Sequence, residues 1–219
     1  MSKNRGFTLI ELLVVILILS LLMVVLLPNI VGGKESAYEF ACRKNLQNFY
    51  AHIQSYEIRH RRKPRGGGPA FLYDLWKGVM EHTEDNRDMF FCPAQRDDPH
   101  YQEDILPQDP EQLWPSLDDF NSEDTHYAAR GKRYKRNMDS GKAAWIADDN
   151  EGGSNHRSGT INVLYGNGTV RPITKLSLEE DGLWGGGGDG NTEEDEDYAF
   201  PVGPDSPLKA LRKLSVTKE

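Results

Sequence analysis

The stretch Arg5-Gly6-Phe7-Thr8-Leu9-Ile10-Glu11-Leu12-Leu13-Val14-Val15 opens an aliphatic run that reaches Leu27, with only Ser20 interrupting it after Leu12. As a helix, residues 7–27 extend roughly 31 Å at ~1.5 Å per residue, about one hydrocarbon thickness. Lys3 and Arg5 precede the run, and no positive charge follows until Lys34. The positive-inside rule then keeps the first residues cytoplasmic and exports the remainder. Glu11 is the anomaly. A carboxylate in a spanning helix costs about 2.5–3.5 kcal/mol at the helix centre and less near an end, so something must compensate for it.

A secretory signal peptide would end in a small-residue cleavage site, and Leu26-Leu27-Pro28-Asn29-Ile30 offers none. A lipoprotein would need a cysteine just after the apolar core, and the first cysteine is Cys42. A plain anchor leaves Glu11 unexplained. The order basic leader, Gly6, Phe7, then Glu11 as fifth mature residue of an apolar helix resembles the prepilin signature of type IV pilins and type II secretion pseudopilins. The resemblance covers about the first thirty residues. It implies cleavage between Gly6 and Phe7 by a prepilin peptidase and N-methylation of Phe7. It also implies pairing of Glu11 with the N-terminal amine of a neighbouring subunit during assembly. Pro28 lies where pilins commonly carry a helix-kinking proline, which removes a backbone donor and bends or locally melts the helix.

Beyond a break at Gly32-Gly33, residues Tyr38, Cys42, Leu46, Phe49, Ile53 and Tyr56 recur at spacings of three and four. That spacing predicts one face of an amphipathic helix. It ends near Arg59-His60-Arg61-Arg62-Lys63, ahead of Pro64 and Gly66-Gly67-Gly68. Pro69–Trp76 is a short helix candidate, Met89–Cys92 a short strand before Pro93, and 97–115 a long loop. Phe49, Phe71, Trp76, Phe90, Phe91, Trp114 and Trp145 supply one modest core. Strands are expected at 143–147, 160–165 and 169–173, the last two joined through Gly166-Asn167-Gly168, a strong hairpin signal. The stretch from His156 to Val170 resembles the closing hairpin of many prepilin-like envelope proteins, with Asn167 in place of the usual aspartate. Those proteins also carry a cysteine early in the helix and a Cys-Pro pair later, as Cys42 and Cys92-Pro93 do. The expected fold is α+β: a long N-terminal helix, its first half transmembrane, packed on a small antiparallel sheet.

The net charge of −8 is local, since nine carboxylates and no basic residue lie between Glu179 and Asp197. Such a segment reads as solvated and disordered rather than as a fold-wide acidic field. The domain plan is a leader at 1–6, a transmembrane and assembly helix at 7–31, an exported domain at 32–178 and an acidic, Gly/Pro-rich flexible tail at 179–219. Leu208, Leu211 and Leu214 within that tail could form a short helix that docks on a partner.

Candidate sites outside the signature are few. Cys42 and Cys92 fit no zinc or haem spacing. In an exported domain they can form one disulfide closing a loop of about fifty residues, against the alternative of two buried thiols. Asp148, Asp149 and Glu151 are hard oxygen donors that could hold Ca2+, but they lack the alternating Asp register, and a solvated turn explains them too. His156 beside them reads as a turn histidine, because no nucleophile or paired base accompanies it. The basic run at 59–63 is short, carries little interleaved aromatic character and suits a helix C-terminus, and the run at 130–136, which contains Tyr134, reads as an exposed loop or strand edge, so no nucleic-acid partner is predicted. The expected function is a non-enzymatic structural subunit of a type IV pilus or type II pseudopilus. Its partners are prepilin peptidase, other pilin or pseudopilin subunits and the cytoplasmic membrane, with the domain exported. The alternative is a processed, membrane-anchored envelope module that binds a ligand and does not polymerise.

Overall fold

The computed structural model describes residues 9–132, 139–148, 155–174 and 176–177, and in the C-terminal segment 202–203, 206, 208 and 210–216, leaving aside the side chains of 24–32. The chain divides into two units, Met1–Ala37 and Tyr38–Glu219.

Helix α1 runs Leu9–His60. Its backbone stays α-helical at Pro28 and through Gly32 and Gly33, so the break expected at the two glycines does not occur. A glycine costs a helix about 1 kcal/mol, too little to end one flanked by many strong helix formers. In the first unit every described side chain from Leu9 to Met23 is exposed. Among the described residues no helix is long and apolar enough to cross a membrane. The described side chains stop at Met23, covering roughly 22 Å at ~1.5 Å per residue, while the apolar sequence continues to Leu27.

In the second unit, α1 becomes amphipathic. Cys42, Leu46, Phe49 and Ile53 are fully buried, with Tyr56 close behind, which is the face the three-and-four spacing predicts. The helix ends at His60, and Arg61 takes a left-handed conformation (φ 52°). The basic cluster that follows is engaged locally. Lys63 pairs with Glu57 and Asp139 and lies over the Trp145 ring, and Arg62 lies over Tyr56.

Helix α2 (Pro69–Gly78) begins with proline, whose missing N–H is harmless in the first turn. Helix α3 (Glu84–Asp88) is capped by Thr83, whose hydroxyl accepts from Asn86 N. The strand expected at Met89–Cys92 is instead a turn, with Phe90 N and Phe91 N donating to Arg87 O and Asp88 O. Phe90, Phe91 and Cys92 are all buried. A short continuous apolar run of that kind does not by itself separate strand from helical turn.

Five antiparallel strands form one sheet in the order β4-β3-β2-β1-β5: β1 Tyr127–Arg130, β2 Ala144–Asp148, β3 Ile161–Tyr165, β4 Val170–Ile173 and β5 Leu214–Ser215. The hairpin joining β3 to β4 forms as expected, but only Gly168 takes a positive φ (83°). Tyr165 O accepts from Gly168 N, and Tyr165 N donates to Thr169 O. A bulge between Ala144 and Ile146 lets Trp145 and Ile146 both join the core beneath α1.

That core holds the aromatics expected from sequence, arranged edge to face: Phe49 against Phe90 (5.3 Å) and Tyr127 (5.6 Å), Trp76 against Trp114 (5.2 Å). The opposite sheet face carries a second cluster of Ala128, Ala144, Ala147, Ile161 and Val163, covered by Val202, Leu211 and Leu214. The C-terminal leucines therefore return to the chain's own sheet, as a 3-10 turn at Leu211–Lys213 and then β5. This corrects the expectation of a tail flexible throughout 179–219. Burial of Val202, Leu211 and Leu214 on the apolar sheet face, together with the β5 ladder bonds, holds this segment in place. Arg130, expected in an exposed run, is buried in β1 over the Phe71 ring (5.3 Å).

Candidate functional site

The first feature with functional character is the start of α1. Glu11 lies in the first helical turn, among side chains that are apolar on every side of the helix; Leu9 is 80% exposed and Val15 46%. A helix hydrophobic all round is one destined for burial in a core or a membrane. Ser20 fits that surface because its hydroxyl donates to Leu17 O at 2.9 Å, satisfying a polar group within the helix. Gly6 and Phe7 lie outside the described residues.

The second feature is a polar cluster buried between α1 and the sheet. The register builds it. Tyr127 stands opposite Asp148 across β1 and β2, so the two share the face that meets the helix. Asn162, alternating with Val163 in β3, comes to the same face. Cys42 descends from α1, and Cys92 enters from the turn before Pro93. The Cys42 and Cys92 sulfurs lie 2.8 Å apart, as two free thiols. Tyr127 Oη donates to Cys42 Sγ at 3.4 Å. His156 Nε2 is 3.7 Å from Cys92 Sγ and 3.3 Å from Asp148 Oδ2. The same Asp148 oxygen accepts from Asn162 N and Nδ2, both at 3.0 Å. His156, Asn162 and both cysteines are fully buried, and Asp148 nearly so.

These contacts set the protonation. Donation from Cys42 holds the Cys92 thiol down to about 7, against burial, with His156 helping. Cys42 is pushed far up, first by that hydrogen bond and then by burial. Burial alone would lower His156, but Asp148 and Cys92 outweigh it and raise the imidazole to about 10. Burial raises Tyr127, reinforced by the cysteines. Cys42, Cys92, His156 and Asp148 thus form one connected chain of buried polar contacts. Behind it, Cys92 N donates to His126 Nδ1 at 3.0 Å, which leaves His126 Nε2 to donate to Asp98 Oδ2 at 3.0 Å.

Residues 1–27 match the family described as Prokaryotic N-terminal methylation motif. The competence protein ComGC of Halalkalibacterium halodurans is 35% identical over 83 residues, 37% of this chain and 76% of the relative. The chain belongs to this prepilin-like family. The ComG operon protein 3 homolog of Bacillus licheniformis is 36% identical over 61 residues, 28% of this chain and 63% of the relative. The type II secretion system core protein G of Klebsiella pneumoniae is 36% identical over 64 residues, 29% of this chain and 46% of the relative. The chain thus spans less than two thirds of the length of the last two. No solved structure matches it.

The sequence-predicted residues of this pilin-like protein fall into two groups. Cys42 and Cys92 do meet, although 50 positions apart. Asp148, offered with Asp149 and Glu151 either as a calcium ligand or as part of a solvated turn, is buried at the end of β2 and faces His156; Asp149 and Glu151 lie outside the described residues. His156 sits in a turn, as expected, but inside the domain. Tyr127 and Asn162 were missed as site residues. The available signal was a polar residue in the interior of an apolar strand, Asn162, one strand alternation from Leu164.

Proposed function

We propose that this protein is a structural filament subunit without catalytic activity. It is cut between Gly6 and Phe7 by a prepilin peptidase, and the Phe7 amine is then methylated. Before assembly it rests in the cytoplasmic membrane through residues 7–27, with Lys3 and Arg5 on the cytoplasmic side and the α+β domain exported. It then joins other pilin or pseudopilin subunits through the same helix. The single observation that carries this is the apolar surface around α1 from Leu9 to Met23, exposed on all sides and bearing one carboxylate. Such a surface needs lipid or the helices of other subunits around it. Glu11 then fits because an amine of a neighbouring subunit offsets the cost of burying its charge.

Glu11→Val tests this. The variant should insert in the membrane at least as well as the parent, since a charge is removed from the apolar sleeve. Its recovery in sheared filaments should fall by about tenfold or more, the equivalent of losing ~1.4 kcal/mol at each subunit contact. Undiminished filament incorporation would contradict the proposal.

A further inference from the structure

Assembly through α1 makes no use of the polar cluster beneath it. Cys42, Cys92 and His156 place two sulfurs and an imidazole nitrogen within 4.8 Å of one another, all buried. They come from α1, from the turn before Pro93 and from the turn before β3, with Asp148 added from β2. A structural disulfide would involve only the two sulfurs. It would leave unexplained why a histidine, an aspartate and an asparagine are buried around them at considerable desolvation cost. Asp148 Oδ1 and Asn162 Oδ1 are buried acceptors with no hydrogen-bond partner among the described residues. Two buried acceptors beside a thiol pair and an imidazole call for a positive charge.

We propose that Cys42, Cys92 and His156 form a closed binding site for one thiophilic d10 cation of the zinc type, with Asp148 as the adjacent oxygen donor. Zinc takes thiolate sulfur at about 2.3 Å and imidazole nitrogen at about 2.0–2.1 Å, so a tetrahedral site has a sulfur–nitrogen edge of about 3.6 Å. Cys92 Sγ and His156 Nε2 are 3.7 Å apart. The sulfur–sulfur edge of such a site is about 3.8 Å, so the cysteines, now 2.8 Å apart, must separate by a side-chain rotation. The proton balance is direct. One M2+ binds the two sulfurs as thiolates and His156 as the neutral imidazole, and every thiol or imidazolium proton displaced leaves as H+. Asp148, released from its contact with Nε2, becomes free to complete the coordination. Cys92 is already oriented by its backbone bond to His126, and Asn162 holds the carboxylate; outer contacts of this kind typically fix metal ligands. The ion would tie α1 to the sheet and to the turn before Pro93, so that binding free energy becomes folding free energy.

The test uses the full chain in detergent, purified reduced and metal-free, and titrated with Co2+ and then Zn2+. One Co2+ per chain should bind, with a thiolate-to-cobalt charge-transfer band and tetrahedral ligand-field bands, and an equivalent of Zn2+ should displace it. His156→Gln should weaken binding about 100-fold or more, given that even outer-shell changes cost 10–100-fold. Cys92→Ser should remove most of the charge-transfer intensity. If a variant fails to fold by circular dichroism, the wild-type cobalt spectrum still decides. Absence of the thiolate band in the reduced wild-type protein would overturn the proposal. So would binding that Cys92→Ser leaves unchanged, or a Cys42–Cys92 disulfide in protein alkylated directly in cells.

Discussion

Helix α1 contains two stretches with one backbone geometry and opposite surroundings. From Leu9 to Met23 apolar residues occupy all sides, and every described side chain is exposed. From Cys42 to Tyr56 the residues at every third or fourth position, Cys42, Leu46, Phe49, Ile53 and Tyr56, are buried against the domain's own sheet and aromatics, while Tyr38 is half-buried and Phe40 exposed. A uniformly apolar helix offers nothing to distinguish one side from another and suits a surrounding apolar medium, whereas a one-sided helix selects a single folded partner. The period of the hydrophobic pattern, more than its strength, therefore separates the part that meets other molecules from the part that completes the domain.

The sharpest way to break the comparison is to truncate one large side chain in each stretch. Phe49→Ala removes a fully buried ring held against Phe90 and Tyr127 and should cost about 3–5 kcal/mol of domain stability. Leu17→Ala should change it by less than about 0.5 kcal/mol. Denaturant unfolding of the full chain in detergent, followed by tryptophan fluorescence, measures both. Equal losses would erase the distinction.

A smaller effect is expected where the β3–β4 hairpin touches the buried face of α1. Gly168 has φ +83°, and a Cβ there would fall 2.6 Å from Tyr50 Cε1. Gly168→Ala combines left-handed backbone strain with a clash and should destabilise by about 1–3 kcal/mol. A change within error would mean that the hairpin does not seat on the helix.

The smallest effect lies in the loop between α3 and β1. His100 bridges Asp104 (3.1 Å) and Asp124 (3.2 Å). Burial alone would lower its pKa, but the two carboxylates outweigh that and raise it. A raised folded-state value gives stability that is complete below the unfolded value of about 6.5 and is lost as pH rises through the folded value. The difference in stability between the parent and His100→Gln should therefore shrink between about pH 6 and pH 8, by no more than about 1 kcal/mol. A difference that grows with pH would reverse the assignment.

Much of the fold was legible because period and turn chemistry are local. The spacing of Cys42, Leu46, Phe49 and Ile53, and the Asn167-Gly168 turn, state their structures within a few residues. Strand β1 was not legible. Tyr127-Ala128-Ala129-Arg130 is alanine-rich, and its place between β2 and β5 follows from partners at Ile146–Asp148 and Leu214–Ser215. Two-residue β5 exists only through that pairing. The buried cluster was hidden for the same reason. A meeting of Cys42 with Cys92 was expected, but Asp148, Asn162 and His156 join them only through tertiary register. Glu11 was legible because a lone carboxylate in a lipid-compatible run is costly wherever the chain goes.

The central claim, that α1 begins at a processed N-terminus and assembles through its first stretch, is tested most directly by the mass of the mature chain. Protein from the sheared filament fraction should begin at Phe7 and carry one extra methyl group on its amine, with residues 1–6 gone. A filament-associated chain that still begins at Met1, or one cut beyond Leu27 and so lacking the apolar helix, would contradict it.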